Sequence, residues 1–315
     1  MIDRRTLLAS LAASVAAPLR PALAQGAMTN RQILEAELAS GRQCGRREAA
    51  LRGTIARLGR MRSPTSGRAI IVDIPSQSLV AYEGGRAVLE SRVVVGDAKG
   101  WQTPDLETTA SYVRFNPTWT VPTSILTSRG WRDRLARNPG YFSKLNFAVE
   151  LDGKLVEPED AAPYAQDVRR FVQRPGKDNA LGAVKIGLNA GNAIYLHDTS
   201  DPEGFDEDAR TLSHGCIRVE KAMELGAWVL GISTDRAEGL LAGDDRTDRR
   251  PPSPVRVATT YLTAWPDASG NVRYWPDVYG KDRIGRRCDG YDPDEDIGAA
   301  PARRDSPPQE FLLED

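Results

Sequence analysis

Two histidines and three cysteines are all that this 315-residue chain carries of the side chains that most readily trade protons or attack carbon near neutral pH. One of each falls in "SHGCIRVE", residues 213–220, where His214 stands two positions before Cys216. The other histidine, His197, lies near the end of "NAIYLHDT". A cysteine becomes a useful nucleophile when it is held as thiolate beside a base, and an imidazole can take and return its proton. His214 is poorly placed to be that base, because residues two apart on an extended segment share a face but stand roughly 6 to 7 Å apart, beyond hydrogen-bond reach. His197, at the end of a neighbouring strand, can approach across a sheet. The residues therefore assign Cys216 as nucleophile, His197 as base and later acid, and His214 as a supporting or substrate-facing group. Gly215 removes a side chain where a substrate backbone must come close. The backbone N–H groups of Gly215 and Cys216 are the nearest candidates to receive a developing oxyanion.

The bland alternative is an inert core cysteine and a structural histidine. Zinc is disfavoured, because a structural site needs four ligands and two histidines plus one thiol fall short. No CxxC pair is present, which argues against a thioredoxin-like oxidoreductase. The chemistry expected here needs no cofactor and no metal.

The elements that must position these residues can be read from periodicity. Residues 29–60 carry apolar side chains at helical spacing, broken at Gly41, and predict two amphipathic helices. From Arg68 the texture turns to alternating or β-branched runs, "RAIIVDI", "SLVAYEG" and "AVLESRVVVG", with Glu83-Gly84-Gly85-Arg86 as a hairpin turn. "ASYVRFNPTWTVPTSIL" predicts another strand, stopped by Pro117 and Pro122. A polar, Pro/Gly-rich interval follows, with a helix at "WRDRLARNP" and a hairpin turning at Asp152-Gly153. An interval of that length between core strands suggests an insertion over the site, about 123–175. "ALGAVKIGL" and "NAIYLHDT" read as central strands, and "VEKAMELGAWVLG" as a helix with Val219, Ala222, Met223, Gly226 and Leu230 on one face. "PVRVATTYLTAW" predicts a strand, and Ser269-Gly270-Asn271 a turn. The fold class expected is mainly β with flanking helices (α+β).

Forty-two Lys and Arg against 43 Asp and Glu leave a formal charge of −1, with no basic footprint for nucleic acid. Residues 1–24 read as a cleavable export signal, Arg4 and Arg5 before an apolar run and Ala22-Leu23-Ala24 for cleavage. "DRRTLLAS" fits a twin-arginine signal, with a Sec signal as the alternative. No later stretch approaches the roughly 20 apolar residues of a membrane span, so the expectation is a periplasmic protein. In an oxidising compartment Cys44 and Cys288 could form a bridge, leaving Cys216 as the thiol; two unpaired surface cysteines are the alternative. Residues from 291 on are acidic and Pro-rich, and read as a mobile tail.

"YLHDT", whose histidine precedes the cysteine of "SHGCIRVE" by 19 positions, resembles the signature of the L,D-transpeptidases with a YkuD-type catalytic domain. The resemblance runs over roughly residues 50–285, through "FNPTWTVPTSI", "QRPGKDNALGAVKI" and "YLTAWPDASGNVRYWPDVYGKD". Those segments resemble the large Gram-negative branch with a substrate-capping subdomain, and the domain implied is β-sandwich-like over residues 63–290. By resemblance, the nucleophile falls on Cys216 and the acid/base on His197. The rest of the motif falls on Ser213, His214, Gly215 and Arg218. Arg218 would pair with a substrate carboxylate or fix the loop. The resemblance implies a periplasmic enzyme of peptidoglycan biosynthesis, cell-wall organisation and cell shape. Its partners would be a tetrapeptide donor and a diaminopimelate acceptor, joined 3-to-3 through a thioester on Cys216, and it would be a carbapenem target. Alternatives are an L,D-carboxypeptidase or endopeptidase, attachment of a protein to peptidoglycan by the same acyl-enzyme, and, least favoured, a non-catalytic wall-binding module. The interval 123–175 corresponds to the cap.

Overall fold

A computed structural model describes residues 28–62, 64–190, 194–243, 246–267 and 269–284. The expected signal peptide, Cys288 and the tail from residue 291 lie outside the described residues.

The N-terminal periodicity folds as α1 (Asn30–Ala39) and α2 (Gly45–Leu58), with Gly41 left-handed between them. Thr29 opens α1 in a capping box with Gln32. Then come β1 (Arg68–Asp73), β2 (Ser78–Glu83), β3 (Arg86–Gly96) and β4 (Glu107–Phe115). The β2–β3 hairpin turns where expected, with positive φ at Gly84 and Gly85.

Asn116 is left-handed and Pro117 follows, so the strand expected over 110–126 ends at Phe115. The chain leaves the main sheet there. It builds a second layer from β5 (Trp119–Thr120), α3 (Thr123–Ser128), α4 (Trp131–Arg137), α5 (Pro139–Lys144), β6 (Phe147–Leu151), β7 (Lys154–Val156), α6 (Pro158–Ala161) and β8 (Arg170–Gln173). Its four strands pair in the order β5-β8-β6-β7. The layer has its own buried cluster, from Trp119 to Leu181. It is therefore wider than the interval 123–175, because both flanks pack into its core. Trp131 is the centre, with the rings of Phe142, Phe147 and Phe171 each 5.4 Å from it.

The main sheet resumes with β9 (Val184–Leu188), β10 (Tyr195–His197), β11 (Thr211–Ser213) and β12 (Ile217–Val219). The helix after the motif, α7 (Ala222–Leu230), starts later than the sequence predicts. Val219 stays in β12, paired with Val93, and so does not share the helical face. Next are α8 (Thr234–Ala242), which periodicity did not single out, β13 (Val255–Thr260), and the hairpin β14 (Ala264–Pro266) and β15 (Val272–Tyr274). The single strand expected in "PVRVATTYLTAW" is thus two, because Ala264–Pro266 pairs with β15 instead of the sheet and buries Ala264 against Leu34 and Leu51 of the N-terminal helices.

Nine strands pair in the order β11-β3-β12-β10-β9-β4-β13-β1-β2, and β2 also pairs with β3. The first half of β3 runs beside β2 and its last residues beside β12 and β11. One long strand thereby closes the sheet on itself. Inside lies an aliphatic core that includes Ile70, Val95, Val113, Ile186, Leu196 and Ile217, with Leu225 and Val229 from α7. Gly226 lets α7 approach closely, since a Cβ there would stand 3.1 Å from Val184 and 3.3 Å from Val113.

Candidate active site

Strands β10 and β12 lie side by side and parallel, with Leu196 opposite Ile217 and His197 opposite Arg218. Leu196 and Ile217 are fully buried in the core. Alternation then turns Tyr195, His197, Cys216 and Arg218 to the opposite face. Burying each aliphatic side chain contributes roughly 1.5–3 kcal/mol. A one-residue slip would exchange these for the polar set, so the core fixes which side chains face outward. Those four line a cleft whose other wall is the second layer, with Trp119, Ile125, Arg129 and Trp131. The structure thus brings His197 and Cys216 to one cleft from adjacent strands.

His197 is 6% exposed, and its Nδ1 donates to the Asp198 carbonyl at 2.5 Å. A carbonyl only accepts, so Nδ1 carries the proton and Nε2 keeps its lone pair. Burial, helped by the nearby charges of Arg218 and Lys185, pushes the imidazole down to about 3, against the Asp198 contact. Asp198 is itself held by the Ala183 N–H at 2.8 Å, and a Cβ at Gly182 would collide with its carboxylate at 2.4 Å. That turn thereby secures the end of β10.

Cys216 is a half-buried thiol outside any disulfide, and Cys44 is disulfide-bonded. Burial raises the Cys216 thiol, while the backbone and hydroxyl of Tyr195 and the charge of Lys185 favour the thiolate. Both partners are therefore uncharged at neutral pH. The sequence led us to expect a thiolate held at rest; the buried site instead requires the proton to leave the sulfur as it attacks.

His214 packs edge-on to Trp101 at 4.8 Å, and Arg129 Nη2 lies 3.4 Å from its Nε2. Burial, with Arg129 and Arg218, pushes it down to about 4. It lines the cleft, but its ring is turned to the second layer's arginine.

Gly215 departs from the sequence reading. Its φ is +104°, and its N–H donates to Ser213 Oγ at 3.1 Å, so this amide is engaged inside the loop instead of open to an oxyanion. Ser213 Oγ in turn donates to the Cys216 carbonyl at 2.5 Å. Thr103 holds the Gly215 carbonyl at 2.9 Å, and accepts from Gly96 N–H at the end of β3. Glycine is required here for left-handed backbone.

Arg218 Nη1 pairs with Asp201 Oδ2 at 3.2 Å, and both side chains are largely covered, being 14% and 15% exposed. That pair ties β12 to the segment after β10. Of the two roles open for Arg218, fixing the loop is the one with a partner in the structure.

Tyr195, Lys185, Trp119 and Arg129 escaped the sequence reading. Tyr195 could have been found, since it sits two residues before His197 on the same strand and so on the same face. It lines the cleft with Cys216 and Trp119, and burial, with the neighbouring Cys216 sulfur, pushes its phenol up. Lys185, opposite His197 in β9, stands 4.1 Å over the Tyr195 ring.

A thiol outside any disulfide, a neutral imidazole with an available lone pair and an apolar-walled cleft together make a site suited to acyl transfer. Residues 67–260 match the YkuD family model, the L,D-transpeptidase catalytic domain, and the chain belongs to that family. A curated Haemophilus influenzae protein provisionally named an L,D-transpeptidase is 33% identical over 232 residues, 70% of this chain and 46% of that protein. The chain spans about half the length of that relative. Among solved structures, an L,D-transpeptidase from Mycobacterium smegmatis aligns at 13% identity over 62% of this chain and 59% of its own, with a TM-score of 0.29. The Enterococcus faecium catalytic domain aligns at 13% over 62% of this chain and 99% of its own, also at 0.29. At such scores the family assignment rests on the sequence match.

Proposed function

We propose that this chain is an exported, periplasmic L,D-transpeptidase that joins peptidoglycan stem peptides 3-to-3 through a thioester on Cys216. The observation that supports it best is the convergence of Cys216 and His197, from adjacent parallel strands, on one roofed cleft.

His197 Nε2 takes the thiol proton as Sγ attacks the carbonyl between diaminopimelate and the fourth-position D-alanine. The tetrahedral intermediate collapses as the imidazolium returns that proton to the departing D-alanine amine. The thioester remains. The side-chain amine of a second diaminopimelate then attacks it, giving a proton to His197, which passes it to the departing sulfur. The Tyr195 hydroxyl donates to sulfur when it carries charge. Starting from two neutral groups costs no stored ion pair in a dry cleft.

The test is to incubate the mature protein with disaccharide-tetrapeptide and identify products by mass. Cross-linked dimers support transpeptidation, tripeptides alone indicate delivery of water to the same thioester, and an unchanged substrate sinks the reading. Cys216→Ala abolishes both products. One equivalent of a carbapenem should add to the wild type and none to that variant. No helix among the described residues is long and apolar enough to cross a membrane.

A further inference from the structure

The charged groups that line the cleft do not balance. Both imidazoles are neutral there, since burial holds them at about 3 and about 4. That leaves Arg129, Arg218 and Asp201. Arg218 and Asp201 are paired, so the charge of Arg129 is uncompensated within the lining. Among the described residues its side chain makes one hydrogen bond, the long 3.4 Å contact with His214 Nε2. Below the site, Lys185 adds a second cation over the Tyr195 ring.

Arg129 is delivered by the second layer: it is the residue just after α3, whose Ile125 lines the same wall. Its partner across the cleft, His214, belongs to the nucleophile loop. A guanidinium carries five donors in a planar fork suited to a carboxylate. One weak contact to a neutral ring leaves most of them available. A half-buried cation with spare donors, facing the nucleophile loop across a cleft, is placed for an anionic ligand.

We propose that Arg129 recognises a carboxylate of the stem peptide, gripping the donor between the second layer and the nucleophile loop; this rests on the reading of the site as an L,D-transpeptidase. The two donor carboxylates nearest the scissile bond, the terminal one of D-alanine and the free one of diaminopimelate, are the candidates. The grip acts on binding, because Arg129 transfers no proton in the reaction.

The test separates binding from chemistry by using the full chain with Cys216→Ala, which cannot form the thioester. Its affinity for disaccharide-tetrapeptide is measured with and without Arg129→Gln. Loss of one charge-assisted pair should weaken binding roughly 10- to 100-fold, with Arg129→Lys recovering part of it. Amidating the recognised carboxylate should weaken binding to the protein that keeps Arg129 and leave the affinity of the Arg129→Gln variant unchanged; the terminal amide and the diaminopimelate amide tell the two sources apart. Equal affinity for the unmodified peptide with and without Arg129→Gln, in proteins of matching melting temperature, overturns the proposal. So does equal sensitivity of both proteins to each amide. If Cys216→Ala alone binds no tetrapeptide, it is the transpeptidase reading that fails. Should Arg129→Gln melt early, Arg129→Lys and the amide series on the protein that keeps Arg129 decide: no loss from either amide overturns the grip.

Discussion

The two layers that meet at the cleft are built by different means. The closed sheet has an aliphatic core laid down by alternating strands, and it supplies Tyr195 and His197 from a strand locked by register and Cys216 from the loop that leads into β12. The second layer has an aromatic core of short helices and strands around Trp131, and it supplies Trp119, Ile125 and Arg129. On the function proposed here, chemistry comes from the part whose geometry is fixed by ladders of hydrogen bonds. On the same proposal, recognition comes from the part held mainly by ring packing. A site divided in this way can change what it binds without moving the groups that react.

The largest break in that division is expected at the base. His197→Ala should slow acylation by roughly 10²- to 10⁴-fold while tetrapeptide affinity stays near wild type, measured by single-turnover mass spectrometry. A variant that acylates at the wild-type rate removes His197 from the mechanism. Next is the other layer's centre: Trp131→Ala leaves a large void and should cost about 3–5 kcal/mol. Amide exchange should quicken across β6 and β8 while β9, β10 and β12 stay protected, and KM should rise more than kcat falls. Equal loss of protection in both layers would show them to be one cooperative unit.

Gly215→Ala probes the loop itself. Space exists for the methyl, with Ile194 and the Trp101 carbonyl 3.5 Å away, but φ of +104° does not suit an L side chain. The strain of about 1–3 kcal/mol should appear as slower acylation with only a small drop in melting temperature. An unchanged acylation rate would mean that the loop tolerates realignment.

The smallest effect expected is a shift in titration. Burial raises the Cys216 thiol above its ordinary 9.0, so alkylation by iodoacetamide should be slow at neutral pH and climb only in the alkaline range. Lys185→Met removes a charge that lowers the thiol and should move the curve further up. A curve centred near neutrality would contradict a neutral resting pair.

Much of the sheet was legible because its strands alternate and its turns use glycine where φ must be positive, as at Gly84 and Gly85. That His197 would face the side of the sheet that carries Cys216 was expected from the exclusion of His214 by distance along the chain, and both line one cleft. Beyond these the sequence was silent for physical reasons. Strands of three residues, such as β11 and β12, are too short for a period to register. The bond from Gly215 N–H to Ser213 Oγ depends on how the residues between two strands curl, which composition does not encode. Arg129 lies 85 positions before His214, and only the fold of the second layer makes them neighbours.

The loop that carries the sulfur enters and leaves through partners of a single strand: β11 pairs with Val95 and Gly96, β12 with Val93 and Val94. Both ends are tethered to the same rail, a few residues apart. An acyl group esterified to Cys216 would therefore hang from a fixed post. How long it survives before an amine or water reaches it would be set by what the opposite wall lets in.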